Sequence, residues 1–200
     1  MTNPNLLLLI PGKLVHAGIW SNKVCFQKGL KMGSMIPCLQ KAAQLGWAVV
    51  LFNPNYNYWS YEEKIKIPGS ETPAIHMASL WNAYLARVKA TNIAVLAHSK
   101  GGEYAEELFA GPARAALPRV KAFAFTDATF SARMDETVRQ HFVEKGRNWV
   151  CSVVQPEPNV FIRKEAYHID NYSAGTTQHE LVTGTVFPHI WDFFSHKMSQ

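Results

Sequence analysis

Short runs of consecutive apolar residues alternate along the chain with longer stretches in which apolar residues recur every three or four positions. The continuous runs indicate strands buried on both faces of a sheet, and the recurring pattern indicates helices packed against that sheet. Strands are predicted at 5–10, 47–52, 93–96, 120–125 and 148–154, with a weaker sixth near 165–169. Helices are predicted at 34–45, at 72–88, after the third and fourth strands, and at the C-terminal end.

Strands that are separated by helices pair in parallel through right-handed crossovers. The pattern therefore predicts a three-layer α/β/α sandwich, the minimal form of an α/β-hydrolase fold. We expect a mostly parallel sheet of about six strands in the order 2-1-3-4-5-6, without a lid domain. No linker, repeat or low-complexity tract interrupts residues 1–200, so a single domain is expected.

Composition limits the functional classes without choosing among them. Of the 200 residues, 48% are hydrophobic and 18% charged, which is typical of a globular protein. The net charge of +5 comes from scattered lysines and arginines, and no nucleic-acid-binding motif is visible. Three dispersed cysteines predict neither a disulfide framework nor a zinc site, and no apolar stretch reaches the ~20 residues of a membrane span. An intracellular protein, cytoplasmic or nuclear, is expected.

The third predicted strand runs into residues 97–102, Ala-His-Ser-Lys-Gly-Gly. A serine between a buried strand and a helix matches the nucleophile elbow of serine hydrolases. The sharp turn requires small residues two positions before and two after the serine, and Ala97 and Gly101 satisfy this. Ser99 could instead only cap the following helix. We expect the side chain of His98 to point away from the site and to have a structural role.

Two further residues complete a potential catalytic triad with Ser99. Asp127 follows the fourth strand, and His179 lies in a loop of small residues after the last strand. The order Ser, Asp, His along the chain is that of α/β-hydrolases. In this interpretation His179 activates Ser99 and Asp127 orients His179. Asp127 could instead cap the next helix, Glu157 competes as the acid, and a loop histidine often has no special role.

The backbone N–H of Lys100, at the start of a helix, is the first candidate for an oxyanion hole. The second is the N–H of Lys13, beside Gly12 in the loop after the first strand, although that loop could be a plain turn. No phosphate-binding glycine loop is visible, and His168 and Asp170 lack partners at metal-ligand spacing. No cofactor or metal is implied.

Eight short segments, in order from the first strand to the last loop, carry a family resemblance: 8–12, 17–20, 53–55, 66–70, 97–102, 125–127, 148–150 and 173–180. Together they resemble the α/β-hydrolase-like domain of the Argonaute-binding siRNA-chaperone subunit. That domain is shared with animal cotranscriptional-regulator homologues and with the C-terminal region of some fungal histone deacetylases. Many members carry His-Gly where this chain has Pro11-Gly12, and larger members have N-terminal extensions.

The resemblance implies two functions of different classes. Some members act as interaction modules in small-RNA silencing and chromatin regulation, which implies silencing or chromatin proteins as partners. Others retain the serine, aspartate and histidine, which implies an esterase or thioesterase acting on a small-molecule or acylated substrate through an acyl-enzyme. The presence of all three residues here favours the hydrolase. Without room for a large lid, its active site is expected to be open.

Overall fold

A seven-stranded sheet forms the centre of the protein in a computed structural model, which describes residues 3–163 and 169–200. The strands are β1 (Asn5–Ile10), β2 (Ala48–Leu51), β3 (Tyr58–Ser60), β4 (Ile65–Lys66), β5 (Asn92–His98), β6 (Val120–Thr126), β7 (Gly146–Val150), β8 (Phe161–Arg163) and β9 (Asn171–Ser173). Their order in the main sheet is β2-β1-β5-β6-β7-β9-β8. All neighbours in this sheet pair in parallel except β8 and β9, and β3 and β4 form a separate antiparallel hairpin.

Helices cover both faces of the sheet. They are α1 (Asn22–Lys28), α2 (Leu30–Gly33), α3 (Ile36–Gln44), α4 (Pro73–Leu80), α5 (Gly101–Ala110), α6 (Glu136–Lys145), α7 (Val182–Thr185) and α8 (Phe187–Met198). A π-helical turn, Trp81–Leu85, continues α4, and a 3₁₀ turn, His179–Leu181, precedes α7.

The unbroken apolar run of β1 is explained by burial on two sides. Leu6, Leu8 and Ile10 belong to the core under α4, α5 and α6, whereas Leu7 and Leu9 belong to the core under α3 and α8. Because neighbouring residues of a strand point to opposite faces, every position from 6 to 10 must be apolar. The predicted three-layer α/β/α architecture is therefore confirmed.

The predicted strand order holds for the first five strands of the main sheet and changes at its far edge. The sixth prediction, 165–169, falls mostly on residues outside the described ones, and β9 occupies the sixth place instead. An unpredicted seventh strand, β8, lies antiparallel beyond it. Strand β7 ends at Val150 rather than at 154, because the N–H of Cys151 donates to the carboxylate of Asp127 and turns the chain towards that residue.

The helix start signals in the sequence give mixed outcomes. Thr72 caps α4 as predicted, with its hydroxyl accepting from the N–H of Ile75 at 3.2 Å. The interpretation of Asp127 as a helix cap is wrong, because α6 begins at Glu136 and Asp135 caps it by accepting from the Val138 N–H at 3.1 Å. Asp127 therefore does not cap α6 and lies directly after the carboxyl end of β6.

Candidate active site

Ser99 follows the end of β5 in a strained backbone conformation. Its φ is 55°, in the left-handed region that residues with a Cβ rarely adopt. Its N–H donates to the carbonyl of Thr126 at 3.1 Å, and its own carbonyl accepts from Gly102 at 3.1 Å and from Thr129 at 3.0 Å. Three backbone hydrogen bonds therefore hold the serine in this conformation.

Two glycines explain how the turn at Ser99 fits against the sheet. A Cβ added to Gly101 would lie 2.6 Å from the carbonyl oxygen of Ile10, and one added to Gly102 would lie 2.5 Å from that of Thr129. Helix α5 thus begins in direct contact with the ends of β1 and β6. Lys100, not Ser99, is the N-cap residue, and no side chain among the described residues caps the helix, so the helix-cap interpretation of Ser99 is wrong.

Asp127 and His179 are brought together at the same edge of the sheet. Asp127 directly follows β6 with a φ of 46°, and His179 opens the 3₁₀ turn after β9. Although 52 positions separate them in the chain, Asp127 Oδ2 lies 2.6 Å from His179 Nδ1. The other carboxylate oxygen, Oδ1, accepts from the N–H of Cys151 at 3.1 Å. This arrangement orients the imidazole with its Nε2 free of the carboxylate.

The contact shifts the pKa of both groups. Burial raises the pKa of Asp127, but hydrogen bonds from His179 and Cys151 outweigh it, and the pKa falls below its ordinary value. The hydrogen bond to Asp127 raises the pKa of His179 above its ordinary value, although burial opposes this. The ionised carboxylate assigns the proton to Nδ1 and leaves the Nε2 lone pair for general-base chemistry. Burial and the nearby Asp127 raise the pKa of the Cys151 thiol to about 12, which keeps it protonated.

The expectation that His98 points away from the site is wrong. Its ring packs against that of His179, with centroids 4.7 Å apart and an interplanar angle of 30°. Its Nδ1 donates to the carbonyl of Thr126 at 2.8 Å and lies 3.3 Å from the hydroxyl of Thr183. These acceptors draw the ring inward, and burial lowers the pKa of His98 to about 4. A neutral, fixed imidazole therefore supports His179 from the protein side.

The two candidate oxyanion loops lie beside the serine. The N–H of Lys100 finds no acceptor within the described ranges, and its ammonium group pairs with the carboxylate of Glu103. Lys13 is exposed on the turn after β1, where a Cβ added to Gly12 would lie 3.1 Å from Ser99 Cβ. The amide of Asn55 fixes this turn by donating to the carbonyls of Gly12 at 2.8 Å and Val15 at 2.9 Å.

One contact of a complete triad is not formed. Ser99 Oγ makes no hydrogen bond with any residue of 3–163 or 169–200, so the link to His179 Nε2 is open in this structure. Catalytic hydrogen bonds are often long in the absence of substrate and shorten when it binds. Asp127, and not Glu157, makes the hydrogen bond to His179, and Glu157 is exposed.

Sequence reasoning missed several residues that build this site. The N–H of Cys151, the hydroxyls of Thr126 and Thr183, and the amide of Asn55 all hold a functional group in place. The Cys151 contact is made by the backbone N–H, so the type of residue at this position does not indicate it. Thr126 and Asn55 lie at or shortly after strand ends and Thr183 lies in α7, and the partners of all three become visible only in the folded chain.

Metal sites and membrane spans can be assessed for residues 3–163 and 169–200. There, no three His, Cys, Asp or Glu side chains converge to hold a metal ion. His168, which the sequence analysis considered with Asp170, lies outside the described residues. Across 3–163 and 169–200, no helix combines the length and apolar character needed to cross a bilayer.

The family model and the relatives that match this chain agree with one another. The Arb2 domain family matches residues 1–156. The cotranscriptional regulator ARB2A homolog of Gallus gallus is 28% identical over 253 aligned positions, which cover 99% of this chain and 60% of that protein. Cotranscriptional regulator ARB2A of Homo sapiens is 27% identical, covering 98% of this chain and 59% of its own length. The chain therefore spans about 60% of these curated relatives, and the resemblance found in the sequence is confirmed.

Among solved structures, that of the histone deacetylase Clr3 resembles this chain with a TM-score of 0.60 and 12% identity. The match covers 99% of this chain and 32% of the Clr3 chain. At such low identity the likeness concerns the fold alone. It agrees with the α/β architecture described above.

Proposed function

Because the chain belongs to the Arb2 domain family and pairs a carboxylate with a histidine beside a strained serine, we propose that it is a serine hydrolase of the esterase or thioesterase type. Ser99 is the nucleophile, His179 the general base and Asp127 the acid. The observation that carries the proposal is the 2.6 Å contact between Asp127 Oδ2 and His179 Nδ1. A carboxylate on Nδ1 is the arrangement that makes Nε2 an effective base towards a serine hydroxyl.

In the proposed reaction His179 Nε2 removes the proton from Ser99 Oγ as the oxygen attacks the acyl carbon. The N–H groups of Lys100 and Lys13 stabilise the negative oxygen that forms, and the start of α5 adds its dipole. His179 then donates the proton to the leaving alcohol or thiol, and an acyl-enzyme remains. Water, deprotonated by His179, releases the acid and restores Ser99. No cofactor takes part in this scheme.

The environment of His179 supports this role. Its side chain is 43% exposed and that of Asp127 is 24% exposed, so the pair is open to solvent and to substrate. The ring of His98, fixed by its hydrogen bond to the Thr126 carbonyl, packs against the imidazole and supports it from one side.

A second candidate function follows from the names of the relatives. Proteins named cotranscriptional regulators match nearly the whole chain. A catalytically silent module that binds silencing or chromatin proteins, in the nucleus or elsewhere inside the cell, is therefore the alternative. The open Ser99–His179 link is compatible with it, whereas the strained φ of Ser99 and of Asp127 favours the hydrolase.

Labelling with a fluorophosphonate probe separates the two functions. We expect the protein to be labelled and to hydrolyse p-nitrophenyl acetate, and Ser99→Ala to lose both properties. Ser131→Ala, which removes an exposed serine hydroxyl elsewhere, is the matched control and keeps both. Absence of labelling in the folded protein, or labelling that survives Ser99→Ala, overturns the hydrolase. If this protein does not react with the probe but captures an Argonaute or chromatin-silencing protein, the result supports the binding module.

A further inference from the structure

Four apolar side chains, on segments that contact the proposed triad or residues next to it, are almost fully exposed. Leu14 is 80% exposed, Phe26 91%, Val153 89% and Val154 85%. We call this set the apolar rim. Single exposed apolar residues are common on proteins, but several of them around one reactive group indicate a binding surface.

Leu14 is held beside the nucleophile in a strained conformation. Its φ is 65°, and the Asn55 amide fixes the carbonyls of Gly12 and Val15 on either side of it. Gly12 in turn lies against Ser99, where an added Cβ would come within 3.1 Å of Ser99 Cβ. Neither packing nor burial of the leucine compensates for this strain. Strain that persists at a surface position next to a reactive group points to function.

Val153 and Val154 lie on the loop that holds the acid and the base. The N–H of Cys151 donates to Asp127, and the N–H of Ser152 donates to the carbonyl of Thr176, in the loop that leads to His179. The two valines follow directly. They are therefore tied through Cys151 and Ser152 to the loops that carry Asp127 and His179.

Phe26 completes the rim on the histidine side. The ammonium group of Lys23 on α1 lies 3.5 Å from the carboxylate of Glu180, next to His179. Phe26 comes three residues after Lys23 and so lies on the same side of the helix. The charge of Lys23 is paired with Glu180, whereas the ring of Phe26 is free to contact a ligand.

We propose that the substrate of this site is an ester or thioester of an apolar acyl chain of about six carbons or more, which lies across the apolar rim. The inference rests on the proposed function. In the reaction a bond forms between Ser99 Oγ and the acyl carbon, the bond from that carbon to the leaving oxygen or sulfur breaks, and His179 passes the serine proton to the leaving group. Water then hydrolyses the acyl-enzyme to the free fatty acid.

The expected chain-length dependence follows from burial. Full burial of one methylene group improves binding roughly fourfold, and a chain lying on an open surface buries about half its area, which gives about twofold per methylene. From acetyl to octanoyl, kcat/KM should therefore rise about 60-fold. A polar acyl group would gain nothing from the rim.

The test compares kcat/KM for p-nitrophenyl acetate, butyrate and octanoate below the micellar concentration. In the Leu14→Ser, Val154→Ser double variant the octanoate-to-acetate ratio should fall below about tenfold. Both positions are so exposed that the variant should fold normally. Leu45→Ser is the matched control, because Leu45 is 41% exposed just before β2, at the opposite edge of the sheet, and its ratio should stay that of the parent protein.

Equal turnover of the three esters, or a chain preference that survives in the double variant, overturns this inference and leaves the proposed hydrolase standing. If the parent protein neither turns over any of the esters nor is labelled at Ser99, the proposed hydrolase is overturned, and the inference with it. Assays with an octanoylated peptide and with dioctanoyl phosphatidylcholine identify what carries the acyl chain. Release of octanoate from either supports the inference and identifies the carrier.

Discussion

Replacing Ser99 by glycine should stabilise the protein relative to replacing it by alanine. A left-handed backbone costs a residue with a Cβ roughly 1–2 kcal/mol, and alanine at position 99 retains this strain at a φ of 55°. Glycine removes it but makes the unfolded chain more flexible, at a cost of about 0.4–1 kcal/mol. The balance leaves Ser99→Gly more stable than Ser99→Ala by about 1 kcal/mol, or about 2–4 °C in Tm for a chain of this size.

The assay is urea denaturation of the two variants, followed by tryptophan fluorescence and circular dichroism. The sign matters more than the size, because at an ordinary helical position glycine is less stable than alanine by about 1 kcal/mol. Glu107, exposed on α5, provides the matched control, and Glu107→Gly should be less stable than Glu107→Ala. If Ser99→Gly is no more stable than Ser99→Ala, the strain attributed to the elbow does not exist.

Three further predictions concern the same site. Asp127→Asn should fold and lose about 10³- to 10⁴-fold in kcat, measured with an aryl ester, because the orienting carboxylate is gone; a loss below tenfold would exclude Asp127 as the acid. The pKa of His179 is raised and that of Asp127 is lowered by their contact. The pair therefore stabilises the fold at pH values above the ordinary pKa of a carboxyl group, and this stabilisation is lost as pH rises through the folded pKa of His179. Urea titrations should therefore show a larger loss for Asp127→Asn near about pH 5.5 than near about pH 8.5, while kcat/KM of the parent rises as His179 is deprotonated; an opposite trend would contradict the pairing. Gly101→Ala should lower the free energy of unfolding by about 2 kcal/mol or more, because the new Cβ would lie 2.6 Å from the backbone oxygen of Ile10, and a neutral result would contradict the close packing of α5 on β1.

Features set by local geometry could be predicted from the sequence. The elbow needs small residues around Ser99, and the physical reason at Gly101 is that an added Cβ would lie 2.6 Å from the carbonyl oxygen of Ile10. The buried run of β1 and the Thr72 cap of α4 follow from side-chain alternation and from one hydroxyl. In each case the sequence signal lies within the element or at its ends, even where the contact that explains it is made with a distant part of the chain.

Features set by distant partners could not be predicted in the same way. Two loops offered a carboxylate at the same edge of the sheet, and only the folded structure shows that Asp127, and not Glu157, contacts His179. The inward orientation of His98 depends on hydroxyls that lie 28 and 85 positions away in the chain. Strand β8 has only three residues, too few for a recognisable pattern.

The central position of β1 has a consequence for the synthesis of the protein. This strand leaves the ribosome before the other strands of the sheet, yet its partners are β2 and β5, and β5 ends only at His98. At about 5–20 residues per second, an edge of almost pure leucine stays without its full pairing for roughly 5–20 s. Such an edge invites pairing with other nascent chains. We expect the chain to depend on a holding chaperone during translation, and a β1 variant that interrupts the leucine run with a charge to aggregate less while it is nascent and to fold less well once it is complete.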